Sequence, residues 1–86
     1  MKEKHMSEDI LNQLQDLIRE YTGNDELTLS EETSLVNDLE LSSLDIISLI
    51  GNIEDTFDIR IDDEDIVHLI NVKDVVEYIV SKKKGQ

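Results

Sequence analysis

An 86-residue chain has room for one small domain and one modest core. It holds no cysteine, proline or tryptophan, which excludes a disulfide frame and a thiolate metal site. Its formal net charge of -13 argues against nucleic acid and anionic membrane surfaces as partners, because both are bound through lysine and arginine. The apolar runs are far too short for a membrane span and no signal-peptide pattern is present, so a cytoplasmic location is expected.

Residues 1–6 read as a leader or disordered start outside the fold, with Met6 as a natural first residue. The domain is expected over 7–81, with a basic tail at 82–86. Between Ser7 and Tyr21, Ile10, Leu11, Leu14, Leu17, Ile18 and Tyr21 recur three and four apart, which is one helical stripe. Ser7 is the candidate N-cap, and Gly23 marks the end. A long connection over 22–41 carries turn-like clusters at Gly23-Asn24-Asp25 and Ser30-Glu31-Glu32-Thr33. Its Leu27, Leu29, Leu35, Val36, Leu39 and Leu41 are expected to tie it to the core. Such a length points to a function or to a helical turn within it.

The second helix is expected from Ser42 to Asp58. Ser42 and Asp45, three residues apart, make a variant of the capping box, in which side-chain oxygens meet the free amides of a first turn. At about 100° per residue, Ile46, Ile50, Ile53 and Phe57 share one side, with Leu49 close by. Asp45, Ser48, Asn52 and Asp55 follow one another on the other side, flanked by Glu54 and Asp58. Leu44 falls nearly opposite Ile46, next to Ser43 at the positive end of the helix and on an acidic face. A lone exposed leucine means little; one beside a first-turn hydroxyl suits a contact point.

A short helix is expected over 63–69, capped by Asp62 or Asp63, and a last one from Val72 to Ser81, capped by Asn71 with Asp74 at its third position. Val72, Val75, Val76 and Ile79 form its apolar stripe, and Lys82, Lys83 and Lys84 follow where cations complement the helix dipole. Phe57-Asp58-Ile59-Arg60-Ile61 alternates like a strand but is too isolated to make a sheet. The fold class is all-α: a small four-helix bundle with three longer helices and one short third helix.

From Asp38 to Asp65 ten acids stand against Arg60 alone, a net -9. A solvated face is the plain reading of such a run, and a basic protein surface is its natural complement. Calcium in an EF-hand wants glycine sixth and glutamate twelfth; counting from Asp58 those positions hold Asp63 and Leu69, so no metal is expected. A hydrolytic serine needs a base. The histidines are His5, in the leader, and His68, in the short helix, and no Gly-x-Ser-x-Gly turn is present. An enzyme is therefore not expected. Read from its neighbours alone, Ser43 is an ordinary first-turn serine.

Asp38-Leu39-Glu40-Leu41-Ser42-Ser43-Leu44-Asp45 resembles the serine-bearing motif of acyl carrier proteins, where an Asp-Ser-Leu triplet opens the second helix. The resemblance continues through Ile53-Glu54-Asp55-Thr56-Phe57-Asp58-Ile59, Ile61-Asp62-Asp63-Glu64 and Val72-Lys73-Asp74-Val75-Val76-Glu77-Tyr78-Ile79, and covers about Ser7 to Ser81. It implies that Ser43 accepts a 4'-phosphopantetheine arm from coenzyme A through a phosphopantetheinyl transferase. The arm's thiol would hold acyl groups as thioesters for fatty-acid, polyketide or related specialised biosynthesis. The resemblance puts Leu44, Asp45, Glu54 and Asp55 where the family meets basic patches on its acyl-loading and acyl-processing enzymes. It makes Ile47, Ile50, Phe57, Ile61 and Leu69 candidates for sheltering an acyl chain, although a core role alone would account for all five. It also implies a monomer.

Three positions depart from the family pattern. Ser42 stands where aspartate is usual, so the cap is kept and a negative charge is lost. Ser48 and Gly51 replace what are often an acid and a larger apolar residue, and a glycine inside a helix costs up to about 1 kcal/mol relative to alanine. These departures point to a specialised carrier. The alternative function is a carrier-like binding module that docks through its acidic second helix and bears no arm.

Overall fold

The computed structural model describes residues 2–84, with residues 2–5 as helical backbone. Four helices follow in order: α1 Lys2–Thr22, α2 Ser43–Phe57, α3 Asp63–Ile66 and α4 Val72–Lys84. Among the described residues no strand forms; an isolated antiparallel bridge joins Ser34 to Asn71. This is the expected all-α bundle, 31 × 28 × 21 Å across.

α1 packs against α4 and α2. Ile10, Leu14 and Ile18, four residues apart, are buried, and Leu11 and Leu17 pack on the core beside them. The helix begins at Lys2, earlier than expected. Met6 lies four residues before Ile10 and packs against the core, so the apolar stripe gains a turn inside the segment read as a leader. Ser7 is consequently inside the helix and not its N-cap. At the other end Gly23 takes φ 75° and its N–H reaches the Arg19 carbonyl at 2.8 Å. Glycine adopts that left-handed turn without a Cβ clash.

Past Thr22, which ends α1, the connection contains no helix up to α2. Its backbone is pinned to the segment that opens α4: Leu35 N–H donates to the Ile70 carbonyl, Val72 N–H to Thr33 and Lys73 N–H to Glu31. Leu29, Leu35 and Leu41 are buried and Leu27 and Leu39 pack on the core, as expected. Val36 is instead exposed.

α2 buries Leu49, Ile50, Ile53 and Phe57, with Ile46 partly covered. It ends on Asp58, left-handed at φ 54°, where the N–H groups of Asp58 and Ile59 both reach the Glu54 carbonyl. α3 is a single turn rather than the expected 63–69 and buries none of its residues. Three consecutive acids leave Ile66 as its one apolar contact, while Val67 and His68 lie exposed beyond it and Leu69 turns inward. The Tyr78 hydroxyl tethers this turn, donating to the Asp65 carboxylate at 2.7 Å and accepting from the Asp62 amide at 3.3 Å.

α4 buries Val72, Val75, Val76 and Ile79 as expected. The Asp74 carboxylate reaches back to accept the amides of Ile70 and Asn71, just before the helix, at 3.2 and 3.0 Å; the Val72 and Lys73 amides of the first turn go to loop carbonyls, and not to the expected Asn71 side-chain cap. The helix runs past Ser81 through Lys84, so these lysines belong to α4 and not to a tail. Lys82 lies 5.3 Å above the Tyr78 ring and 4.0 Å from the Asp62 carboxylate. Met1, Gly85 and Gln86 lie outside the described residues. None of the buried residues described is polar or charged, so the chain's large negative charge sits at its surface.

Candidate functional site

The approach to α2 is tightly specified. Glu40 takes a left-handed φ of 54°, and the next residue, Leu41, is buried with its N–H on the Leu35 carbonyl. Ser42 then stops the extended chain as N-cap. Its Oγ accepts the Asp45 amide at 3.2 Å, and the Asp45 carboxylate accepts the Ser42 amide at 2.9 Å. Both halves of the capping box expected from the sequence are present.

Ser43 is the first residue of the helix and is exposed. Its Oγ makes no hydrogen bond among the described residues. Leu44 beside it is 76% exposed. A free hydroxyl thus projects from the first turn of a 15-residue helix, where unpaired amides and the helix dipole favour negative charge.

Asp45 carries more than the cap. Its other carboxylate oxygen accepts the Tyr21 hydroxyl from α1 at 2.8 Å. The Ser42 amide, and after it the hydroxyls of Tyr21 and Ser42, hold the Asp45 carboxyl below the usual carboxylate range. The same bond pushes the Tyr21 phenol up, aided by burial and opposed by the Ser48 hydroxyl. Asp45 was expected as a partner contact; both of its oxygens are engaged within the chain. The sequence places Tyr21 on the apolar stripe alone. Its position at the end of α1, where a phenol can be covered on one side and wet on the other, was the available signal.

An open groove runs between α2 and the 59–67 segment. Its apolar lining includes Ile47, Ile50, Ile61 and Val67, its acidic part Glu54, Asp55, Asp58 and Asp63, with Arg60 the cation among them. Ile47 and Val67 are 60% and 72% exposed. Of the five acyl-pocket candidates, Ile47, Ile50 and Ile61 meet here, and Ile50 and Leu69 also border the interior between the helices. Phe57 joins neither set; it lies beside Met6 and Ile10. It shares the face of Ile50 but stands at the opposite end of α2 from Ser43, about 21 Å along the axis. The interior void is about 10 Å³, close to the space of a single water, so the core in this conformation is packed shut.

A family model described as the phosphopantetheine attachment site matches residues 12–79. The chain is 36% identical over 75 residues to an acyl carrier protein of Thermotoga maritima, across 87% of this chain and 93% of the relative. An acyl carrier protein of Exiguobacterium sp. is 40% identical over 75 residues, across 87% and 95%.

The chain belongs to the acyl carrier protein family.

A crystal structure of an acyl carrier protein from Thermotoga maritima has the same fold, with a TM-score of 0.82 at 29% identity over 93% of each chain. As a member of this family the protein carries acyl intermediates on covalently attached 4'-phosphopantetheine and is not itself an enzyme. It works with a phosphopantetheinyl transferase and with biosynthetic enzymes. No helix among the described residues is long and apolar enough to cross a membrane. The exposed, unpartnered hydroxyl at the amide-rich start of α2 fits a phosphodiester chemically, because the anion would stand at the positive helix end.

Proposed function

We propose that Ser43 is the residue that bears the 4'-phosphopantetheine arm. What carries this reading is the free Ser43 hydroxyl at the first helical position, directly followed by the exposed Leu44. Ser42 is a poorer choice, because its hydroxyl is already committed to the Asp45 amide. During installation Ser43 Oγ loses its proton to a base of the transferase and bonds to the pantetheine-side phosphorus of coenzyme A. The bond from that phosphorus to the adenosine-bisphosphate leaving group breaks. Once in place, the arm supplies a thiol on which acyl groups stay activated as thioesters.

Partner enzymes dock through Leu44 and the acidic side of α2, with Asp55 its open charge and Glu54 and Asp45 adding field from bonded positions. Basic patches are the complement, and such docking raises encounter rate more than affinity. Ile47, Ile50, Ile61 and Leu69 are the side chains an acyl group would meet on entering between α2 and the 59–69 segment, which must first part because the interior is packed. Fatty-acid, polyketide and related pathways all suit this carrier, acting as a cytoplasmic monomer.

The test is incubation with coenzyme A, magnesium and a broad-range phosphopantetheinyl transferase, followed by intact mass. A gain of one phosphopantetheinyl group, abolished by Ser43→Ala, is the expected result. An unchanged mass beside a modified control carrier would contradict the reading and favour an unmodified docking module.

A further inference from the structure

The hydrogen bond from Tyr21 to Asp45 is the feature that the carrier reading leaves unused. Asp45 offers its two carboxylate oxygens to two donors from different parts of the fold. One is the Ser42 amide at 2.9 Å, just before α2; the other is the Tyr21 hydroxyl at 2.8 Å, from the last turn of α1. One side chain therefore bridges the cap of α2 and the neighbouring helix across 24 residues of chain.

Ser43 sits between these fixed points. Its own hydroxyl bonds to nothing among the described residues, so the backbone of the first turn alone sets where its Cβ points, and Oγ turns about χ1 from that fixed base. That backbone is approached through an irregular connection and a left-handed Glu40. The capping box closes the turn locally, but a box made only of Ser42 and Asp45 could rotate as a unit with the helix end. The Tyr21 hydroxyl ties the box to a rigid element outside the loop.

We propose that Tyr21 is a positioning residue for arm installation: its hydroxyl holds Asp45, and through the capping box orients the first turn of α2 that presents Ser43 to the transferase. The inference rests on the reading of Ser43 as the attachment site. Tyr21 touches neither the arm nor the hydroxyl that accepts it. Its effect belongs to the alignment of the nucleophile in the transferase complex, where small displacements are costly. Docking charge is untouched, because Asp45 stays ionised with or without the phenol.

The experiment compares wild type, Tyr21→Phe, Asp45→Ala and the double variant as substrates of a phosphopantetheinyl transferase, at a temperature where circular dichroism shows each folded. Tyr21→Phe keeps the ring and removes only the hydroxyl. Its expected effect is a fall in kcat of about threefold to tenfold with KM within about twofold, a loss of transition-state alignment rather than of binding. In the Asp45→Ala background the same change should have no further effect, because residues acting as a unit are not additive. Amide spectra of Tyr21→Phe supply a second readout that needs no Asp45 variant: the largest shifts should fall at Ser42, Ser43 and Asp45. An unchanged kcat despite a lowered melting temperature would make Tyr21 merely structural and overturn the proposal. So would a full Tyr21→Phe effect that persists without Asp45, or shifts confined to α1. If wild type takes no load, the Ser43 reading itself falls; if wild type and Tyr21→Phe load equally fast, only the present inference falls.

Discussion

The Glu54 carboxylate accepts the Ile61 amide at 2.8 Å across the turn that joins α2 to α3. Its neighbour Asp55 is exposed and makes no comparable bond among the described residues. Two adjacent acids on the partner side of α2 therefore differ in role: Glu54 shapes the groove, and Asp55 offers its charge outward.

This division predicts separable mutants. Asp55→Asn should slow arm installation at low ionic strength while shifting stability by less than about 0.5 kcal/mol, as surface changes usually do. The slowing should shrink as salt is raised, because exposed charges are screened within about 10 Å at 0.1 M. Glu54→Ala should instead lower stability by about 1–2 kcal/mol by leaving the Ile61 amide without its acceptor. Glu54→Gln, which keeps an acceptor oxygen, should lose less. Loading rates across a salt series and denaturant melts measure both effects.

Glycine usage predicts two stabilising changes. Gly51 lies inside α2, and a Cβ built there meets nothing within 4 Å. Gly51→Ala should raise stability by up to about 1 kcal/mol. Glu40 shows the reverse case, a non-glycine residue at a left-handed φ of 54°. Glu40→Gly should relieve part of a conformational cost of about 1–2 kcal/mol. In a domain of this size each 1 kcal/mol moves the melting temperature by roughly 4–8 °C, so calorimetry resolves both. A melting temperature lowered by either substitution would contradict the backbone assignment at that position.

The capping box predicts the behaviour of Ser42. Ser42→Ala should cost about 1 kcal/mol, within the 0.5–2 kcal/mol range of lost N-caps, yet leave the load in place. Ser42→Asp keeps the cap and returns a negative charge to the helix start, where the dipole favours it. It should match or exceed wild-type stability in urea melts and load at least as fast.

The Tyr21–Asp45 bond predicts a pH signature. The Asp45 carboxyl is held low, so its contribution is present above its unfolded pKa, about 4, and is lost as pH falls through the lower folded value. The Tyr21 phenol is pushed up, so its contribution is present below about 10 and is lost as pH rises through the higher folded value. The stability difference between wild type and Tyr21→Phe should therefore be flat near neutrality and narrow on both sides. Urea melts across pH check this; a gap that stays constant down through the carboxylate range would contradict it.

What the sequence revealed divides along the range of the interactions involved. The start of α2 was legible because its signals are local: Ser42 and Asp45 lie three residues apart and the buried stripe repeats within one helix. The stripe of α4 was legible for the same reason, whereas the use of its opening amides was not, because the Thr33 and Glu31 carbonyls that accept the Val72 and Lys73 amides lie far earlier in the chain. The 22–41 connection points to a function or to an internal helical turn because its length has no local explanation. It is long because it reaches the start of α4, where the Thr33 and Glu31 carbonyls accept amides from Val72 and Lys73. Periodicity placed Phe57 on the face of Ile50, and residue count already sets it far along α2 from Ser43; hidden was its packing beside Met6 and Ile10 of α1, because the sequence does not show which helix covers that end of α2. Tyr21 was hidden more deeply, since its partner is 24 residues away and a phenol counts as apolar in any stripe.

The central claim is that Ser43, and not its capping neighbour, carries the arm. Fragmentation of the loaded protein by tandem mass spectrometry tests it most directly, because the two hydroxyls occupy consecutive residues and give distinct fragment ions. The account predicts the added phosphopantetheinyl group on Ser43, with Ser42 unmodified; the group found on Ser42 would contradict it.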